Sequence, residues 1–232
     1  METIGFIGSY DKTDLIIYIA KVLAVTGKKV LLVDNTMEQK AKYVVPVINP
    51  TKSYVTEFEK IDVAVGLGSF EQIAGYLGIS KEELEYDICL VDVDSAENFE
   101  SFHVGTAKKK YFVTSFDLYS LKRGLEIIND LKEPTNLTKI IYSKNILKEE
   151  NEYLNYISLG TKAIWNENYI LYMPIDNGDQ SIIIENQRIS KIGIKRLSNQ
   201  FKDGLRYIAV DILGEEKEAE VKKAFRILEK EV

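Results

Sequence analysis

The 232-residue sequence contains one cysteine and one histidine, and each scarcity excludes a class of site. A single cysteine, Cys89, can form neither a disulfide within the chain nor a cysteine cluster for a metal. Because it lies in the apolar run ICLV, we expect a buried and unreactive thiol. His103, the only histidine, leaves no histidine-rich metal site and few acid–base schemes, and we expect it at the surface.

The sequence also lacks long apolar runs and a surplus of basic residues. No run of about 18 apolar residues is present, and the N-terminus carries no charged leader with a cleavage site, so we expect a cytoplasmic protein. A net charge of -6 and a pI near 5.1 give no strong nucleic-acid signal, because nonspecific binding relies on a basic surface that neutralises phosphates.

Apolar residues make up 45% of the chain, which is enough to fill a sizeable core. Apolar runs typical of buried strands alternate with segments of helical spacing. This alternation predicts one doubly wound α/β domain over residues 1–213, with a mainly parallel sheet and helices on both faces. A charged amphipathic helix is expected to follow over residues 214–232.

Ile4 to Asn35 is the stretch around which the rest of the chain is organised. It reads as a strand, a turn, a helix and a second strand, and polar residues gather at the turn. The second strand, Val30 to Val33, is a continuous apolar run that ends in Asp34, as in a parallel strand buried on both faces. Any chemistry is therefore expected at the turn.

The turn is compatible with three interpretations. A dinucleotide-binding G-x-G-x-x-G that starts at Gly8 has Tyr10 and Thr13 in place of its later glycines, although Asp34 would suit a ribose hydroxyl. A plain polar connection whose Ser or Asp caps the next helix is the second interpretation.

The third interpretation is a P-loop, G-x-x-x-x-G-K-[ST], which cradles phosphates with backbone N–H groups, a lysine and a magnesium-binding hydroxyl. Lys12 and Thr13 supply its last two residues, whereas Phe6 and Asp11 replace its two glycines.

Three blocks give the chain a resemblance to the ParA/MinD family of P-loop ATPases, over roughly residues 2–210. They are KVLLVD at Lys29 to Asp34, YDICLVDVDS at Tyr86 to Ser95, and MPIDNG at Met173 to Gly178. The resemblance implies a P-loop NTPase-like fold with ATP and Mg as cofactors. By this resemblance, the phosphate loop contains Gly8, Ser9, Asp11, Lys12 and Thr13. Magnesium would be bound by Thr13 and Asp92, and Asp34 would help to activate the attacking water.

The chain departs from the family pattern where phosphate is bound. Asp11 places a carboxylate beside Lys12 and can neutralise it, Ile7 stands where the family has a lysine that reaches across the dimer, and Ala96 replaces a glycine. The adenine-reading position holds Ser143, with Asn145 two residues later. These departures predict weak binding of ATP and Mg or none.

The favoured function is therefore a degenerate ParA/MinD-like protein with little or no ATP hydrolysis. It would act as a positioning, partition or assembly scaffold through a protein partner or a homodimer. The first alternative is a working ATPase that uses Lys12, Thr13, Asp34 and Asp92. The second alternative is a dinucleotide-dependent oxidoreductase built on Gly5, Gly8 and Asp34.

Two further segments carry structural predictions. Tyr43 to Ile48 is expected to be an edge strand, and Asn151 to Trp165 a helix and a turn, with Trp165 packed in the core or at its edge. Apolar residues at helical spacing from Val221 to Val232 predict a helix that docks onto its own domain or a partner. The glutamates of that helix dilute its lysines, so membrane binding is not expected.

Overall fold

One eight-stranded sheet organises the described residues, 1–48, 51–144 and 148–231, of this computed structural model. Its strands are β1 (Glu2–Ile7), β2 (Val30–Asn35), β3 (Tyr54–Phe58), β4 (Ile61–Val65), β5 (Ile88–Val93), β6 (Lys109–Ser115), β7 (Thr135–Ser143) and β8 (Ala163–Pro174). The order across the sheet is β3-β4-β2-β5-β1-β6-β7-β8. All neighbours are parallel except β3 and β4.

Helices cover both faces of this sheet. They are α1 (Thr13–Val25), α2 (Ala41–Val44), α3 (Phe70–Leu77), α4 (Ala96–Ser101), α5 (Leu118–Asn129), α6 (Lys148–Ile157), α7 (Asn177–Arg188), α8 (Asn199–Leu213) and α9 (Glu218–Leu228). One apolar core lies between the sheet and α1, α8 and α9, and a second lies between the sheet and α3, α4 and α5. The prediction of a doubly wound α/β fold with a mainly parallel sheet is confirmed.

The strand order decides between two of the interpretations of the first turn. In the dinucleotide-binding order, 3-2-1-4-5-6, the first and second strands are neighbours. Here β5 lies between β1 and β2 and pairs with both. The topology therefore argues against a dinucleotide-binding fold, and it brings the carboxyl ends of β1, β2 and β5 side by side.

The predicted edge strand at Tyr43 to Ile48 is wrong. Residues 41–44 form α2, because a carboxylate oxygen of Asp34 accepts the N–H of Ala41 at 2.9 Å and supports the first turn of a helix. The edge of the sheet next to β4 is instead formed by β3, which runs antiparallel to β4. The two are joined by the turn Glu59–Lys60, in which both residues have positive φ.

The prediction for Asn151 to Trp165 is correct for the helix, but Trp165 itself belongs to β8. The strand starts at Ala163, earlier than the apolar and aromatic run at 168–173 indicates. The indole N–H donates to Oγ of Ser158 at 2.8 Å, and the ring lies 5.4 Å from that of Phe112. Trp165 thus packs at the border of the core.

The C-terminal helix α9 packs onto α1 and α8 of the same chain. Its apolar stripe, Val221, Ala224, Phe225 and Leu228, is buried in the first core. Val232, the last residue of the predicted stripe, lies outside the described residues. Among the helices of the described ranges, none is long and apolar enough to cross a membrane.

Candidate functional site

The loop from Gly8 to Thr13 joins β1 to α1 and borders a cavity of about 480 Å³ at the carboxyl end of the sheet. The residues predicted to bind a cofactor, Gly8, Ser9, Asp11, Lys12, Thr13 and Asp92, all line this cavity. Gly8 has a φ of 141°, and a Cβ there would overlap the carbonyl oxygen of Val113. The loop conformation therefore requires glycine at position 8.

Lys12 is held inside this loop. Its side chain is only 3% exposed, its ammonium group donates to the carbonyl of Gly8 at 2.8 Å, and it lies 2.7 Å from Oδ1 of Asp92. Lys12 therefore has an internal carboxylate partner on β5. Its ammonium group is engaged within the chain before any ligand arrives.

Asp92 is the buried member of an acidic pair at the end of β5. Burial raises its pKa to about 7, the ammonium group of Lys12 opposes the shift, and the carboxylates of Asp34 and Asp94 add to it. Asp94 follows the strand, and its Oδ2 accepts the N–H of Met37 at 3.0 Å. Both aspartates line the cavity.

Asp11 does not neutralise Lys12, contrary to the prediction from its position. Its Oδ2 pairs with Nζ of Lys40 at 3.1 Å, and its Oδ1 accepts the N–H of Thr13 at 3.2 Å. Thr13 is the first residue of α1, so the carboxylate occupies part of the helix N-terminus. That terminus is where a P-loop offers N–H groups and positive potential to a phosphate.

Asp34, the predicted catalytic residue, is 1% exposed and is not among the residues that line the cavity. Its Oδ1 accepts hydrogen bonds from the backbone N–H and hydroxyl of Thr36, at 3.1 and 2.7 Å, and its Oδ2 accepts from Ala41. These bonds hold the connection between β2 and α2. Burial also removes Asp34 from the reach of a ribose hydroxyl.

The two positions before Gly8 belong to β1 rather than to the loop. Phe6 is fully buried, with its ring 5.2 Å from that of Tyr111, and Ile7 is fully buried in the second core. A lysine at position 7 would have to enter that core. Ala96 is the first residue of α4, where Ser95 provides the cap by accepting the N–H of Asn98.

Sequence reasoning missed several residues of the cavity. Lys40 comes from the 37–60 stretch, in which no function was predicted, and Tyr119 and Arg123 lie on α5, where no site residue was predicted. The wall carries the carboxylates of Asp11, Glu38, Asp92 and Asp94 against the cations of Lys12, Lys40 and Arg123.

A neighbouring cavity of about 470 Å³ contains the predicted base-reading position, Ser143. Tyr10 lines both cavities, and the centroid of its ring lies 4.8 Å from that of Tyr142. Asn145, the other base-reading candidate, lies outside the described residues.

Two groups that would meet the phosphates of Mg-bound ATP already have partners within the chain. The N–H of Thr13 is already bonded to Asp11, and Lys12 is already paired with Asp92.

Comparisons with known proteins were made by sequence and by structure. No family model matches the sequence, and no curated protein matches it significantly. A ParA family ATPase from Chlorobium tepidum matches in structure with a TM-score of 0.58 at 15% identity, covering 90% of this chain and 97% of its own. The fold is that of the ParA/MinD-type ATPases.

Two other solved structures match over similar lengths. A chain of the MinC:MinD cell division protein complex of Aquifex aeolicus has a TM-score of 0.53 at 17% identity, covering 100% of this chain and 97% of its own. A Borrelia burgdorferi protein, described as a plasmid partition protein and bound to AMPPNP, has a TM-score of 0.58 at 12% identity. The match covers 93% of this chain and 99% of the Borrelia chain.

Proposed function

We propose that this protein is a degenerate ParA/MinD-like scaffold with little or no ATP hydrolysis, which acts in positioning, partition or assembly through protein contacts. One observation carries the proposal: the Asp11 carboxylate accepts the first N–H of α1. An anion supplied by the chain itself stands where the phosphate of a nucleotide would be bound.

The charges around the loop support the same proposal. A phosphate that entered would meet the Asp11 carboxylate and a lysine already paired with Asp92. Binding would require that pair to separate while both groups remain buried, which is costly. Nucleotide binding is therefore weak at best.

Exposed apolar side chains at the same face support a role in protein contacts. Met37 and Tyr119 line the mouth of the cavity and are 78% and 71% exposed. Leu118, beside Tyr119, is also exposed. We infer that a protein partner or a second copy of the chain covers this apolar rim. The matched Aquifex aeolicus chain comes from a complex of two different proteins, which is consistent with this inference.

The nucleotide part of the proposal is tested by titrating the purified chain with ATP and magnesium in a calorimeter. We expect no saturable heat at millimolar ligand. Asp11→Gly should gain measurable binding, since it frees the N–H of Thr13 and removes one charge. Asp11→Asn keeps the side-chain size and serves as the charge-only control. Phe6 and Ile7 are left unchanged because both are core residues.

A functional ATP-binding protein is the second candidate. The convergence of Lys12, Thr13 and Asp92 on one cavity favours it, and a structural relative was solved with AMPPNP. A micromolar dissociation constant for the natural chain, with hydrolysis that is lost in Lys12→Ala, would establish this candidate and overturn the first.

The protein-contact part is tested by sedimentation velocity, with and without ATP and magnesium. For a homodimer, we expect association without nucleotide and weaker association in Tyr119→Ser. Tyr207→Ser is the matched control, because Tyr207 is 57% exposed on α8 and does not line the cavity. Equal effects of the two substitutions would exclude the apolar rim as the contact surface.

A further inference from the structure

A third cavity, of about 670 Å³, lies near the far end of α1 from the β1–α1 loop. Lys21, which lines it, is eight residues beyond Thr13 and so about 12 Å further along the helix axis. The turn between β3 and β4, helix α7 and the segment after α7 complete the walls. We call this cavity the basic groove and define it by Lys21, Lys60, Ile182, Ile189, Lys195 and Arg196.

The basic groove has the opposite charge to the chain as a whole. Five cationic and three carboxylate side chains line it, whereas the whole chain has a net charge of -6. Within the described ranges, the ammonium groups of Lys60 and Lys195 have no ion-pair partner, while Arg196 pairs with Glu185 at 2.7 Å. The groove is therefore electrostatically suited to an anion.

Lys21 is the buried cation of the groove, at 4% exposure. It forms an ion pair with Glu59 of the β3–β4 turn, and Oε2 of Glu231 approaches its Nζ to 3.6 Å. Glu231 follows the end of α9, and its side chain is half exposed. A carboxylate from the tail of the chain thus approaches the buried ammonium group from the solvent side.

One wall of the basic groove is apolar. Ile192 is buried, Ile182 is half-buried, and Ile189 is 57% exposed. An exposed isoleucine that lines the same cavity as a buried lysine provides a surface for a hydrocarbon group together with a position for its carboxylate. The cavity volume lies in the range of small-molecule sites, and apolar walls with a few placed polar groups are typical of such sites.

We propose that the basic groove binds a small apolar carboxylate of the medium-chain fatty acid class. The carboxylate of the ligand replaces Glu231 beside Lys21 and is drawn in by Lys60 and Lys195. The hydrocarbon chain lies on Ile182 and Ile189. Glu231 is a built-in competitor, so the tail lowers the affinity for the external acid.

The proposal is tested by titrating the full chain with octanoate, below its micelle concentration, in a calorimeter. We expect saturable binding of octanoate and no binding of octylammonium, which has the same hydrocarbon chain and the opposite charge. Butyrate should bind roughly tenfold more weakly or worse, since it buries fewer methylene groups. Absence of saturable octanoate binding, or equal binding of octylammonium, would overturn the proposal.

Variants locate the binding in the groove. Glu231→Gln should strengthen octanoate binding several-fold, whereas Glu220→Gln, an exposed glutamate paired with Lys217, should leave it unchanged. Ile189→Ser, at an exposed position that folding tolerates, should weaken it. If Glu231→Gln and Ile189→Ser both bind octanoate like the natural chain, the site is elsewhere. Tighter binding of the peptide RILEKEV than of octanoate would assign the groove to a protein segment instead.

Discussion

The ammonium nitrogen of Lys12 and Oδ1 of Asp92 lie 2.7 Å apart, with both side chains less than 5% exposed. The lysine that a phosphate loop would present to its ligand is therefore balanced by the neighbouring strand β5. A buried pair of this kind gains Coulomb energy but loses hydration, so its net contribution to folding is small while its disruption is expensive.

Removing either partner of this pair alone should destabilise the fold strongly. We expect Lys12→Met and Asp92→Asn each to lower the free energy of unfolding by about 3 kcal/mol or more, because each leaves a buried group without its partner. The double variant should lose much less than the sum of the two. Urea denaturation of the natural chain, the two single variants and the double variant gives the coupling energy between Lys12 and Asp92.

The exposed pair Lys81 and Glu71, 2.6 Å apart, is the control for this cycle. Its coupling should be about 1 kcal/mol or less, as for surface pairs in general. Additive losses at Lys12 and Asp92 would show that the two groups do not depend on each other in solution.

Lys139 gives a prediction with a pH dependence. It is buried, its ammonium group donates to Asn151 and Asn155, and it lies 4.9 Å from the centre of the Trp165 ring. Burial lowers its pKa from 10.5 to about 8, while the carboxylate of Glu167 opposes that shift.

The unfolded chain therefore holds this proton up to a higher pH than the folded chain does. Between pH 8 and 10.5 the unfolded state binds more protons, so stability rises with pH relative to Lys139→Met. Denaturation midpoints of both proteins between pH 7 and 10 measure this difference. Lys132→Met, at an exposed lysine, should leave the profile of the natural chain unchanged. A constant difference between natural chain and Lys139→Met would mean that Lys139 titrates as it does in water.

Gly8→Ala should destabilise the chain by about 1–3 kcal/mol, because position 8 has a positive φ and no room for a Cβ beside Val113. Gly75→Ala is the matched control, because Gly75 lies inside α3 and has open space where a Cβ would be added. This substitution should stabilise the chain by about 0.5–1 kcal/mol. Thermal or urea unfolding checks both. Equal effects in the same direction would show that the loop adopts another conformation.

Phe225→Ala should cost about 3–5 kcal/mol, because the ring is buried between α9 and the first core. Ile227→Ala, on the exposed side of the same helix, should cost less than about 1 kcal/mol. Both substitutions alter the helix propensity of α9, but only Phe225→Ala removes a side chain that docks it onto the core. The difference between the two costs therefore measures docking. Equal costs would indicate that α9 is not docked in solution.

Much of the fold follows from the sequence because its buried strands are continuous apolar runs. Val30 to Val33, predicted to be a buried parallel strand, forms most of β2 and pairs in parallel on both sides. The prediction of an edge strand at 43–48 was wrong, because the helical turn at 41–44 depends on a hydrogen bond from Ala41 to Asp34. No local sequence pattern indicates that bond.

The sequence predicted some members of the candidate site but not the partners of their side chains. Motif spacing placed Lys12, Thr13 and Asp92 at one cavity, since neighbouring parallel strands end at the same edge. Which carboxylate pairs with which lysine depends on rotamers and on a distant residue. Lys40, which draws Asp11 away from Lys12, is 29 positions along the chain from Asp11.

The docking of α9 on α1 has a consequence for the order in which the molecule forms. Helix α1 starts at residue 13, but part of its apolar surface is covered only when residues 218–228 arrive. During synthesis, this surface must wait for about 200 further residues to leave the ribosome. Such distant contacts slow folding, so the nascent chain is exposed to aggregation or to chaperones until its last helix closes the core.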